Sequence, residues 1–217
     1  MKKLYLSSYK FGRSPETLGA LVDANTKAAI IMNAEDVFGP EHLPDRIDAN
    51  RRVLADLGIE AEDLDLRDYF NEPDKLKTEL GRFGLIWAVG GNAFVLRRAM
   101  RYSGFDQIAP GRIRDGSLVY AGYSAGSVVA ARTLQGIEVV DDPNVVPDGY
   151  GGEVIWDGLD LVDFSIAPHY QSDHPESPLI EDVVRAFESK DLPYKTIRDG
   201  EAVVVRGDTV EVVGTSI

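Results

Sequence analysis

The chain has 217 residues, 44% of them apolar, which suits one α/β domain with a sizeable core. Its 36 acidic against 23 basic residues give a net charge of -13, which would repel a phosphate backbone or an anionic leaflet, so neither nucleic acid nor membrane is expected as a partner. There is no cysteine, which excludes disulfides, thiolate metal sites and a cysteine nucleophile.

The N-terminal apolar run Leu4-Tyr5-Leu6 stops at Ser7 and Ser8, far short of a signal-peptide core, and no apolar stretch reaches membrane-spanning length. A cytoplasmic location is the resulting expectation. Lys3 to Leu6 and Ala28 to Met32 read as buried strands, followed by a helical pattern over Leu43 to Leu57 and a strand over Ala61 to Leu66. A helix is predicted over Asp74 to Phe83, a strand over Gly84 to Val89, a helix over Phe94 to Tyr102 and a strand over Leu118 to Ala121. Runs that are apolar throughout, alternating with helices, imply a doubly wound, mostly parallel sheet with helices on both faces. Neither a repeat nor a linker interrupts it, so residues 1–217 read as a single α/β domain. Beyond about residue 133 the alternation weakens. Ile137 to Val140 is a strand candidate, Asn144 to Asp160 a loop or hairpin, and Leu179 to Lys190 a helix opened by Pro178. Lys195 to Ile197 and Ala202 to Val205 extend the strand pattern, and Val210 to Val213 closes a hairpin around Gly207-Asp208.

The segment Leu118 to Ala131 contains Gly122-Tyr123-Ser124-Ala125-Gly126, a G-x-S-x-G turn between a strand and a run of small, helix-tolerant residues. This is the context of a nucleophile elbow, where Ser124 is lifted above the sheet and a side chain at either glycine would collide with backbone. The Ala125 amide would then face a developing oxyanion. A second strand-glycine-helix junction, Val89-Gly90-Gly91-Asn92-Ala93-Phe94, lets backbone approach a ligand and offers a second oxyanion donor, with Asn92 also a good helix cap. The base must come from His42, His169 or His174. His42 opens a surface helix, His174 lies in a polar loop, and His169 follows the apolar run Ser165-Ile166-Ala167 at a strand end. A metal set of His169, Asp173, His174 and Glu176 matches no zinc spacing, so no metal or cofactor is expected.

Three motifs together, Val89 to Phe94, Gly122 to Gly126, and Pro168-His169-Tyr170, resemble the peptidase E family of serine peptidases, which includes aspartyl dipeptidases and, more distantly, cyanophycinases. The resemblance implies a class I glutamine-amidotransferase-like fold in which serine replaces that superfamily's cysteine. It also implies oxyanion amides at Gly91 and Ala125, substrate contacts at Asn92 and Tyr170, and a triad acid in a C-terminal turn. That turn here is Arg198-Asp199-Gly200-Glu201, which gives Asp199 as the acid, one methylene shorter than the family's glutamate, with Glu201 as the alternative. The implied activity is hydrolysis of short peptides by Ser124, His169 and Asp199, with oligomeric state undetermined. Family dipeptidases that cleave after aspartate are similar in carrying a Glu-Thr-Arg stretch after the histidine. This chain has Glu176-Ser177-Pro178, with Arg185 the next arginine, so a preference for N-terminal aspartate is not expected. A lipase-like order would instead take its acid from Asp141, Asp142 or Asp163. A binding protein that keeps the fold without catalysis is disfavoured by the joint presence of serine, histidine and glycine turn, and favoured only by Asp199.

Overall fold

A computed structural model describes residues 1–41 and 43–215. His42 lies outside the described residues. One seven-stranded sheet organises the chain, with strands β1 (Lys3–Ser7), β2 (Lys27–Ile31), β3 (Glu60–Asp63), β4 (Leu85–Ala88), β5 (Val119–Tyr123), β8 (Ala202–Arg206) and β9 (Thr209–Val213). Their order is β3-β2-β4-β5-β1-β8-β9. The first five are parallel, and β8 joins antiparallel to β1, with Tyr5 opposite Val204. Strands β6 (Ser165–Ala167) and β7 (Tyr194–Thr196) form a separate two-stranded parallel sheet.

The apolar runs arise because both faces of the sheet are covered. Leu4 and Leu6, Ala29 and Ile31, Ile86 and Ala88 enter one core, while Tyr5, Ala28, Ile30, Leu85 and Trp87 enter the other. Successive side chains point to opposite faces, so a strand buried on both sides has no polar alternate. Helices α1 (Pro15–Gly19) and α2 (Leu43–Asp56) cover the second core through Leu18 and Leu54. On the first lie α3 (Pro73–Leu80), α4 (Ala93–Tyr102), α5 (Phe105–Asp115), α6 (Ala125–Val128) and α7 (Ser177–Ser189). This is the doubly wound α/β fold that the alternation implies. Among the described residues no helix is long and apolar enough to cross a membrane.

Several local expectations are corrected. Ile137–Val139 is a 3-10 turn and not a strand: its buried Ile137 packs against α7, and the Ile137 carbonyl accepts from Val140 N and Asp141 N within the turn. The strand expected over Ala61 to Leu66 ends at Asp63, since the Asp65 carboxylate caps the following turn through Arg67 N and the Leu66 amide is taken by Asn33 Oδ1. Helix α5 escapes the pattern because Pro110 and Gly111 interrupt it. The small-residue run after Ser124 gives only one helical turn. The carbonyls of Val129, Ala130 and Ala131 accept from Leu159, Leu161 and Asp160 and do not continue the helix.

Candidate functional site

Ser124 stands where β5 turns into α6, with φ 47° and ψ -119°, a conformation that non-glycine residues rarely hold without enforcement by their surroundings. Enforcement is visible in the backbone packing. A Cβ at Gly122 or Gly126 would overlap the Ala88 carbonyl of β4, so only glycine lets the turn lie this close. The end of β1 supplies the other support: Ser124 N donates to Ser8 O at 3.1 Å, and Ser127 Oγ to Ser7 O at 2.8 Å. The Ala125 amide opens α6, where position leaves it without an intrahelical acceptor.

The second glycine junction lies against this turn. A side chain at Gly90 would meet the Tyr123 ring at 2.7 Å and Ser124 Cβ at 3.1 Å. Gly91, at φ 135°, is pressed onto the Ala34 carbonyl, where any Cβ would clash. Asn92 caps α4 by accepting from Phe94 N and Val95 N at 2.9 and 3.0 Å, while its Nδ2 donates to Asp142 O at 3.1 Å.

His169 follows β6 and comes from the small sheet, not from a strand of the main one. It has φ 59° and is 1% exposed. Its Nδ1 lies 2.7 Å from Asp199 Oδ1. Ser8 locks the pair from behind: its Oγ accepts from His169 N at 2.7 Å and donates to Asp199 Oδ1 at 2.8 Å. Asp199 N in turn donates to Ser172 Oγ at 2.8 Å. Burial would raise the Asp199 carboxyl, but the hydrogen bonds from His169 and Ser8 outweigh it and hold the group below the usual aspartate value. Glu201 closes its own turn by accepting from Arg198 N at 2.8 Å.

Ser124, Gly90, Gly91, Asn92 and His169 line one cavity of about 570 Å³. Tyr170 is not part of its wall; its hydroxyl accepts from Gln171 Nε2 at 3.2 Å. Among the described residues Ser124 Oγ makes no hydrogen bond to the His169 ring, a contact of the kind that tightens when substrate binds. Of the lipase-type acids, Asp141 reaches the cavity but accepts from Ala93 N at 2.8 Å, Asp142 accepts from Asn144 N at 2.9 Å, and Asp163 lies in another groove.

Tyr9, His174 and Arg46 are among the wall residues that lie outside the sequence motifs. Tyr9 meets Tyr123, His169 and His174 edge-on, with centroids 6.3, 6.0 and 5.5 Å apart. His174, read as a loop residue, stacks on His169 with centroids 3.7 Å apart and planes 9° apart. Burial and the facing His169 lower its pKa. Arg46 pairs with the buried Glu35 at 2.6 Å and donates to Tyr123 OH at 3.3 Å. His169, His174 and Glu176 bring ligand atoms within 4.8 Å of one another. Imidazole lone pairs lie in the ring plane, however, and no ion can lie in two parallel planes, so a metal would need one ring to turn.

The fold and this cavity define a doubly wound α/β protein whose solved relatives bear the names of peptidases. The chain is similar over its full length to a Listeria monocytogenes EGD-e protein provisionally assigned to peptidase E, with 25% identity, a TM-score of 0.81 and all of that chain covered. A peptidase from an acI-B1 Actinobacterium shares the fold at 17% identity and a TM-score of 0.71, matching all of this chain and 88% of that one. The uncharacterized peptidases Lmo0363 of Listeria monocytogenes and Lin0382 of Listeria innocua are each 29% identical over 164 residues, 76% of this chain and 76% and 74% of theirs. The family model of peptidase family S51 matches residues 37–213. The chain belongs to that family, peptidase E, and is a serine-type peptidase.

Proposed function

We propose that this peptidase hydrolyses short peptides by a Ser124-His169-Asp199 triad. The observation that carries it is the 2.7 Å His169–Asp199 pair, whose imidazole lines the same cavity as Ser124 on its strained turn. Ser124 Oγ attacks the scissile carbonyl carbon while His169 Nε2 takes its proton. The Gly91 and Ala125 amides receive the oxyanion, and His169 returns the proton to the leaving amine. A water then attacks the acyl-enzyme by the same proton route in reverse, releasing the acid and restoring Ser124. Asp199 holds the imidazole with Nδ1 protonated and stabilises the imidazolium. A cavity of about 570 Å³ suits a peptide of few residues. No strong preference for N-terminal aspartate is expected, since Pro178 opens α7 and Arg185 is held at the surface by Asp182.

A fluorophosphonate probe should label Ser124 in the wild type, located by mass spectrometry of the digested protein, and leave Ser124→Ala unlabelled. Equal labelling of both would remove the reading. Ser8 tests the support behind the triad. Ser8→Ala leaves the buried His169 amide unpaired and strips one bond from Asp199, at a cost of roughly 1–3 kcal/mol. Steady-state kinetics should show kcat/KM lower by about tenfold to a hundredfold, and Ser8→Thr, which keeps the hydroxyl, should recover much of it.

A further inference from the structure

The charges on the cavity wall are unequal and differently employed. Five side chains with formal charge line it: Glu35, Arg46, Asp141, Asp142 and Glu176. The cation is already engaged, since Arg46 is held by Glu35 at 2.6 Å and donates to Tyr123 OH. Asp142 turns its Oδ1 to Asn144, accepting from both the backbone and the side-chain nitrogen. Asp141 and Glu176 remain. Asp141 is fixed from one side only: its Oδ2 accepts from Ala93 N, which places the carboxylate two residues from the Gly91 amide that would receive the oxyanion. Glu176 approaches across the histidine stack, with its N donating to His174 Nδ1 at 3.2 Å and its Oε2 4.0 Å from that nitrogen.

We infer that Asp141 and Glu176 form a subsite for a positively charged group on the acyl side of the scissile bond, so that the preferred peptides present an ammonium or guanidinium there and an aspartate is rejected. The inference rests on the Ser124 reading for where the scissile bond lies. Its physical basis is separate. Two carboxylates on the wall of a partly enclosed cavity repel each other more strongly than they would in water. Burial and the Glu176 charge together push the Asp141 carboxyl up to about 7, against the pull of the Ala93 amide. A cation between them removes that repulsion, whereas a substrate carboxylate adds a third like charge. The net charge of -13 adds a long-range pull of the same sign on a cationic peptide.

The cation has two sources, the free N-terminus and a basic side chain. Isothermal titration of the Ser124→Ala protein with Ala-Leu, N-acetyl-Ala-Leu, Lys-Leu, N-acetyl-Lys-Leu and Asp-Leu separates them without turnover. Ala-Leu or Lys-Leu should bind at least about tenfold more tightly than N-acetyl-Ala-Leu and Asp-Leu. A loss on acetylating Ala-Leu, with Lys-Leu no better than Ala-Leu, assigns the subsite to the N-terminal ammonium. Retained binding of N-acetyl-Lys-Leu assigns it to the basic side chain. Asp141→Asn in the same background should shrink the differences to less than about threefold, and Glu176→Gln, at a half-buried position, serves as a second variant should Asp141→Asn fail to fold. Asp-Leu binding as well as or better than Ala-Leu and Lys-Leu, or a ranking that neither substitution changes, overturns the subsite. Fluorophosphonate labelling is read separately: labelled Ser124 without a charge ranking removes the subsite alone, and a charge ranking without labelling removes the nucleophile alone.

Discussion

His169→Ala is expected to lower kcat by at least on the order of 10^3, while His174→Ala costs about tenfold or less. The two histidines lie 3.7 Å apart and face the same cavity, so proximity does not rank them. Their partners do. His169 Nδ1 is committed to Asp199, and its backbone is fixed by Ser8, which leaves Nε2 as the acceptor a base requires. His174 Nδ1 accepts from Glu176 N, and among the described residues its carboxylate partner, Glu176 Oε2, stands at 4.0 Å, too far to stabilise an imidazolium as closely. Burial and the neighbouring ring also hold His174 toward its neutral form. Activity should fall as the medium is acidified, because an imidazolium cannot accept the serine proton. Initial rates on one dipeptide, taken from pH 5 to 8 for wild type and both variants, check the ranking. The reverse order would move the base to His174, and a flat wild-type profile with chemistry rate-limiting would remove the histidine base.

Asp199→Asn should reduce kcat by up to roughly 10^4, and Glu201→Gln by about threefold or less. An asparagine amide donates where the carboxylate accepted, so it favours the imidazole tautomer with Nε2 protonated, which cannot take the serine proton. Glu201 is occupied with Arg198 N in its own turn and does not reach the ring. The same substitution has a pH signature in stability. The folded Asp199 carboxyl titrates below its unfolded value, so its stabilisation is complete above the unfolded aspartate range, about 3.9, and is lost as pH falls through the lower folded value. Thermal melts of wild type and Asp199→Asn should therefore differ at neutral pH and converge in acid. Damage from Glu201→Gln in place of Asp199→Asn would shift the acid two residues along the turn.

The parallel core of the fold was open to reading because burial on both faces leaves runs such as Ala28 to Ile31 and Leu85 to Ala88 wholly apolar. The glycine junctions were open to reading because close backbone approach permits no other residue: the Ala88 and Ala34 carbonyls exclude a Cβ at Gly122, Gly126 and Gly91. Such constraints act within a few residues of chain and leave a local mark. Ile137, by contrast, has a strand-like composition and became a turn packed on α7, a partner forty residues on that no local pattern encodes.

By itself the sequence determined the doubly wound class, the two glycine turns and the short set of candidate side chains, since each follows from local sterics or from chemistry that only those residue types perform. Tertiary structure alone decided their partners. Ser8 and Asp199 are separated by 191 residues and meet at 2.8 Å because β1 and β8 pair side by side. The turn directs the Asp199 carboxylate at His169 and the Glu201 carboxylate at its own backbone. Tyr9, Arg46, Asp141 and His174 carry no motif and became cavity wall only when segments distant in sequence, three loops and the start of α2, converged on it. Contacts of that kind form between surfaces remote in sequence, and a polar side chain that will face a cavity looks in sequence like one that will face solvent.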